Sequence, residues 1–242
     1  KAPLRRGQQT VHEKWNANTA ILSGDVMLVR AYELLLHVEQ DKLAKVLKLF
    51  SCTAAEVCEG QQLDMNFENR TQVSIPEYIH MITLKTAVLL GFSLELGAIL
   101  QGAPDEDAEH LRLFGNNVGI AFQLRDDLLD VYGDKDKFGK QVGGDILSDK
   151  KTFLMLTALE QANEQQKQTI TSWRDKTDES IAAEKVKAVT EVYDQLHIRH
   201  QTEQHIDVYF QKALHHLDAI ALPEERKETL RGLALQLMER DR

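Results

Sequence analysis

Tryptophan, proline and cysteine are all scarce here: two, four and two among 242 residues, with aromatic side chains only 6% of the total. So few prolines, with thirteen glycines, leave long uninterrupted stretches at helical period, and these predict an almost purely helical fold. Cys52 and Cys58 have no clustered His or Cys partners, which excludes a disulfide scaffold or a structural zinc site. They are expected to be reduced, buried thiols of a cytoplasmic protein. Positive charge is also in deficit: 29 Lys and Arg against 38 Asp and Glu give a net charge of −9, which argues against a nucleic-acid-binding surface. No apolar run is expected to reach membrane-spanning length, and no signal peptide is evident. With 43% hydrophobic residues, the chain can bury a sizeable core, and residues 1–242 are expected to form a single all-α domain. The chain starts at Lys1, and its true N-terminus is expected to lie upstream.

The stretch Phe122-Gln123-Leu124-Arg125-Asp126-Asp127-Leu128-Leu129-Asp130 organises the rest. Wound as an α-helix at about 100° per residue from Asp126, it places Asp130 at about 40°, Gln123 at about 60° and Asp127 at about 100°. Val118, Ala121, Phe122, Leu128 and Leu129 fall on the opposite side, at roughly 200° to 320°. Close carboxylates repel one another unless a cation sits among them, and Asp is a poor interior helix former. One reading is a solvated helix face. The other is a metal–diphosphate site, because hard oxygen ligands suit Mg²⁺, which bridges carboxylates to phosphates and keeps several waters. The arc carries no interleaved Lys or Glu, and Gly119 lies on it and leaves room for an approaching group; both favour the second reading. Arg125 points into the apolar arc, where a buried pairing would account for it.

Elsewhere, Ala2-Pro3-Leu4-Arg5-Arg6-Gly7 reads as a loop. Asn16 to Val38 reads as helical, broken at Ser23-Gly24 and restarted with Asp25 as N-cap. Asp41 is read as the cap of a helix running to about Leu63. Ser74-Ile75-Pro76-Glu77 is a capping box that opens a helix to about Gln101, apolar nearly all round and so a central buried element. Lys85 interrupts it on a stripe with Tyr78, Ile82, Leu89 and Leu96, and either snorkels to water or meets a buried anion. Thr86 is placed to bond back to the preceding turn and bend the helix. Asp105 to about Tyr132 forms the acidic helix, in which Gly115 and Gly119 admit a neighbouring backbone. Gly133 to Asp145, rich in Gly, Lys and Asp, reads as a polar turn or, beside the aspartates, as a lid whose lysines close over phosphate. Asp149-Lys150-Lys151-Thr152 opens a further helix, followed by three or four amphipathic ones. His197, His200, His205, His215 and His216 have charged neighbours and read as solvated.

Taken in order, Pro3-Leu4-Arg5-Arg6-Gly7, Gly60-Gln61-Gln62-Leu63-Asp64, Lys85-Thr86, Phe122-Gln123-x-x-Asp126-Asp127-x-x-Asp130, Gly139-Lys140 and Asp145 with Lys150 resemble the trans-isoprenyl diphosphate synthases of the polyprenyl synthetase family. The resemblance spans essentially the whole chain. It implies an all-α, isoprenoid-synthase-type bundle around a deep central cavity, a homodimer, and a cluster of Mg²⁺ ions held between two Asp-rich motifs on an allylic diphosphate. It further implies ionisation of that diphosphate, attack on the allylic cation by the double bond of isopentenyl diphosphate, and loss of a proton. Asp126, Asp127 and Asp130 would be metal ligands of the second motif, Asp126 the most direct. Arg5, Lys85, Lys140 and Lys150 would hold the allylic diphosphate, and Arg6 isopentenyl diphosphate. The Lys85 carbonyl, the Thr86 hydroxyl and the Gln123 amide would face the cation. The family's first Asp-rich motif lies just upstream of the Pro-Leu-Arg-Arg stretch, so these 242 residues alone are expected not to condense substrates. The expected product is farnesyl or geranylgeranyl diphosphate.

A class I terpene cyclase shares the ionisation step, but its second metal motif pairs Asn or Asp with Ser/Thr and Glu. A non-catalytic partner subunit commonly loses the aspartates and lysines that this chain keeps. A helical scaffold without a small-molecule site leaves the one-sided aspartates and the Lys85 stripe without a reason.

Overall fold

Helix follows helix from Val11 to Met238 in the computed structural model, which describes residues 3–133, 143–176 and 178–239. The chain separates into two compact units, Lys1–Ser51 and Cys52–Arg242, with the division falling inside one long helix.

The first unit opens on a two-residue-loop hairpin, β1 (Leu4–Arg5) against β2 (Gln8–Gln9). Arg6 and Gly7 form its turn with φ of 51° and 74°, the left-handed pair that matches the twist of the strands. Thus the stretch read as a plain loop is a hairpin. After α1 (Val11–Lys14), α2 (Ala17–Leu35) starts at Asn16, whose side chain accepts from the Thr19 N–H at 2.8 Å. The expected break at Ser23-Gly24 does not occur, and Asp25 is interior rather than a cap. One helical glycine costs only about 1 kcal/mol, and Ser23 keeps its hydroxyl on the Thr19 carbonyl at 2.7 Å. Ile21, Leu22, Val26, Met27, Val29 and Leu34 of α2 are exposed.

Helix α3 (Gln40–Asn69) begins one residue before Asp41 and runs past Leu63. Its Cys52 and Cys58 are free and exposed on its outer side, not buried as expected. The predicted capping box is formed: Glu77 N–H donates to Ser74 Oγ and Ser74 N–H to Glu77 Oε2 at 2.9 Å. It opens α4 (Ile75–Ile82), which passes through a widened π-turn, Thr83–Ala87, into α5 (Val88–Leu100). The threonine that bonds back to the preceding turn is Thr83, to the Ile79 carbonyl at 2.7 Å, rather than Thr86. Residues 75–100 keep close to the expected bounds, but they reach a membrane-spanning length and apolarity that no run was expected to have. An 18-residue window averages a hydropathy of 1.6, enough by composition to cross a bilayer, yet 44% of it is buried within the chain, as in the core helix of a folded protein.

Helix α6 (Asp105–Tyr132), with the predicted bounds, is the axis of the second unit. It packs against α5 on one side and against α11 (Ile198–Ala219) on another. Glycines set the first spacing. A Cβ on Gly115 would lie 2.7 Å from the Gly91 Cα, and one on Gly119 2.6 Å from the Ala87 Cα. Around α6 come α7 (Gly144–Leu147), α8 (Phe153–Gln161), α9 (Glu164–Ser172), α10 (Ala182–Gln195) and α12 (Glu224–Met238). Leu124, Leu128, Leu154 and Tyr193 lie at the centre of the main core, and Phe114, Ala213 and Leu217 form a second cluster further along α6. The fully buried Lys185 reaches Asp149 at 2.8 Å and the Leu147 carbonyl at 3.2 Å. It therefore anchors the turn that delivers Lys150.

Candidate active site

The last turns of α6, the π-turn and the segment Gly143–Lys150 converge around Asp126, Asp127 and Asp130. The three carboxylates expected to share a metal do not point to one place. Asp126 is exposed and makes no hydrogen bond or ion pair among the described residues. Asp127 is 2% exposed, with Tyr78 Oη–H donating to its Oδ2 and Gln123 Nε2 to its Oδ1 at 3.1 Å. Asp130 is half-buried; its Oδ2 accepts the Asp145 N–H at 2.8 Å, and its carbonyl accepts the Gly143 N–H at 2.6 Å. The helical wheel put all three on one arc, but only Asp126 is left exposed there. Their burial differs because α4 covers the Asp127 side and the Gly143–Asp145 turn covers Asp130.

Electrostatics reflect the crowding. Burial, reinforced by Asp145, pushes the Asp127 carboxyl up to about 7 against the opposing pull of Lys150, Tyr78 and Gln123. Asp130 is likewise raised by burial and by its acidic neighbours Asp145 and Asp126. Burial opposes the charge on Lys150, but Asp127, Asp145 and Asp64 outweigh it, so its ammonium is held above the ordinary lysine value. Lys150 Nζ sits 3.3 Å from Asp145 Oδ1.

Lys85 does meet an anion: its Nζ lies 2.6 Å from Asp64 Oδ2, with both side chains partly exposed. Gly60 makes that approach possible, since a Cβ there would stand 2.3 Å from the Lys85 amide nitrogen. The π-turn then brings Thr86 Oγ1 to Gln123 Oε1 at 3.3 Å. Gly119, expected to leave room for a ligand, instead receives Ala87 of that turn. Beyond Lys150 lies a cavity of about 580 Å³, lined by Asp64, Arg70, Lys150, Lys151 and Arg174 among others.

Arg5 and Arg6, in the hairpin and exposed, belong to the first unit. Lys140, with Gly139 and most of the segment read as a lid, lies outside the described residues. Sequence reasoning gave no role to Tyr78 or to Asp64 as the partner of Lys85. Their signals were there: a polar-tipped aromatic on the Lys85 stripe, and an acid at the end of Gly60-Gln61-Gln62-Leu63-Asp64.

The donor set suits Mg²⁺, which takes one or two carboxylates and fills its remaining positions with phosphate and water. No group of three His, Cys, Asp or Glu among the described residues is arranged as a complete protein cage. The free Asp126 carboxylate would hold the ion directly, with Asp130 beside it.

A sequence profile of the polyprenyl synthetase family matches residues 1–195. A short chain isoprenyl diphosphate synthase of Methanothermobacter thermautotrophicus is 37% identical over 185 residues, 76% of this chain and 57% of that protein. A geranylgeranyl diphosphate synthase of Methanosarcina mazei is 42% identical over 159 residues, 65% of this chain and 49% of that protein. The chain thus spans about half the length of the curated relatives it matches. A crystal structure of a geranylgeranyl pyrophosphate synthase superposes with a TM-score of 0.93 at 44% identity, over 99% of this chain and 74% of the other. Helix order and these matches agree: the chain belongs to the polyprenyl synthetase family, with its all-α isoprenoid-synthase fold.

Proposed function

We propose that this chain carries the ionising site of a Mg²⁺-dependent short-chain trans-prenyltransferase, which condenses an allylic diphosphate with isopentenyl diphosphate. The observation that carries the reading is the meeting of a free acidic edge, two lysines and an amide–hydroxyl pair around α6: Asp126, Lys85, Lys150, Gln123 and Thr86. Diphosphate leaves only when its charge is neutralised. Asp126, with Asp130 beside it, would hold Mg²⁺, which when bound supplies charge neutralisation at the departing diphosphate; Asp127 supports them from the buried side. Lys85 and Lys150 bind and orient the allylic diphosphate oxygens; by their motifs alone Lys140 and Arg5 would serve the same group, and Arg6 isopentenyl diphosphate. The Lys85 carbonyl, the Thr86 hydroxyl and the Gln123 amide oxygen offer acceptor dipoles to the allylic cation, which a full base would quench.

The relatives' names, which run from farnesyl to geranylfarnesyl diphosphate synthase, support a farnesyl or geranylgeranyl product. The protein works as a homodimer in the cytoplasm. The exposed apolar side chains of α2 suit a subunit interface, and two free exposed cysteines suit a reducing compartment. The test is product analysis of the full-length protein with dimethylallyl, geranyl or farnesyl diphosphate, isopentenyl diphosphate and Mg²⁺. Linear diphosphates are expected; cyclic hydrocarbons, or no product, would overturn the reading.

A further inference from the structure

We infer that Tyr78 is a positioning residue for prenyl transfer: through Asp127 it fixes which end of the Gln123 amide faces the reacting carbon. The inference rests on the proposed function above. Tyr78 is 1% exposed, on the core side of α4, and its hydroxyl donates to Asp127 Oδ2. A buried phenol is tolerated when its O–H finds such a partner. The other Asp127 oxygen accepts from Gln123 Nε2 at 3.1 Å, and Gln123 Oε1 accepts from the Thr86 hydroxyl at 3.3 Å. The chain Tyr78–Asp127–Gln123–Thr86 thus links α4, α6 and the π-turn.

The order of donors and acceptors matters more than the contacts themselves. In its ionised form the Asp127 carboxylate only accepts, so it compels Gln123 to offer its NH₂ inward, as the 3.1 Å contact to Oδ1 shows. The amide oxygen is then turned away from Asp127, toward the Thr86 hydroxyl in the π-turn that also carries Lys85. An outward oxygen stabilises a developing allylic cation, whereas an outward NH₂ opposes it. Tyr78 occupies Asp127 Oδ2 and so holds the carboxylate in the orientation that presents Oδ1 to the amide. Without the phenol hydroxyl the carboxylate is free to rotate, and the amide loses its fixed sense. Tyr78 itself hydrogen-bonds neither the lysines nor Asp126 among the described residues, so on losing its hydroxyl turnover and affinity should separate.

The experiment compares Tyr78→Phe, Thr86→Val and the double variant in the full-length protein. It measures kcat, KM for both diphosphates, and Mg²⁺-dependent affinity for a non-hydrolysable allylic diphosphonate. Tyr78→Phe should lower kcat about tenfold or more, with both KM values and the diphosphonate affinity held within about twofold. Because the two residues act through one amide, the double variant should fall no more than about twofold below the slower single variant. Parental kcat in Tyr78→Phe, fully multiplicative losses, or equal losses of kcat and diphosphonate affinity would overturn the inference. A parent protein that binds the diphosphonate but forms no prenyl product would instead overturn the functional reading, and this inference with it.

Discussion

Replacing Gly119 with Ala tests whether the packing of α6 sets the chemistry. The added methyl would lie 2.6 Å from the Ala87 Cα and 2.9 Å from its Cβ. Carbon atoms rest at about 3.5–4.0 Å, so the π-turn and α6 must part by roughly 1 Å. Overpacking of this kind costs about 1–3 kcal/mol, and Ala recovers roughly 1 kcal/mol of helix propensity over Gly. The net loss is about 0–2 kcal/mol, a few degrees in Tm for a chain of this size. Activity should suffer far more. Thr86 adjoins Ala87, and its 3.3 Å contact with Gln123 is already at the limit of a hydrogen bond. A displacement of about 1 Å at reacting groups is worth on the order of a hundredfold in rate. Urea unfolding and kcat of the full-length variant measure the two effects. A parental kcat, or stability raised by the whole helix-propensity gain, would refute the argument.

Four further predictions follow from burial and charge. The Asp127 carboxyl is raised by burial to about 7, above the unfolded value of about 3.9. The folded chain therefore binds the extra proton between those values. The stability Asp127 contributes is fully present below about pH 4 and lost as pH rises through about 7, at most about 4 kcal/mol. Asp127→Asn should flatten that part of the pH–stability profile, and an unchanged slope in urea titrations would contradict the assignment. Lys185→Met strips Asp149 of its buried partner and should cost about 2–4 kcal/mol, read as a Tm fall of roughly 5–15 °C; a shift under a degree would show that the anchor carries nothing. Asp64→Asn, at a partly exposed pair, should cost no more than about 1 kcal/mol in urea unfolding. If the proposed homodimer forms through α2, the parent should be a dimer and Met27→Glu a monomer in light scattering; a monomeric parent or a dimeric variant would contradict that interface.

Periodicity made α6 legible to its ends, because its apolar stripe and polar arc alternate cleanly over Asp105–Tyr132. The capping box at Ser74 was equally plain, since two reciprocal hydrogen bonds depend only on local residue types. Gly24 misled, because local propensity carries about 1 kcal/mol and the surrounding helix overrides it. The π-turn was invisible: an extra residue per turn leaves no periodic signature in so short a segment. At the site, the wheel gathered the aspartates but could not rank them. Their differences come from α4 and the Gly143–Asp145 turn, which are distant in sequence. Lys85 showed itself as an ion on an apolar stripe, and Asp64 as the acid that ends a motif, but their pairing across α3 and the π-turn is a tertiary contact that no helical period encodes.

The central claim is that Asp126 stands free to take a divalent cation bearing diphosphate. Thermal unfolding of the full-length protein with Mg²⁺ and a non-hydrolysable allylic diphosphonate tests it most directly. At about a hundred times Kd, binding should add about 2.7 kcal/mol and raise Tm by roughly 5–10 °C. The shift should need both components together and should largely vanish in Asp126→Asn. No shift in the parent, or the same shift in the variant, would contradict the account.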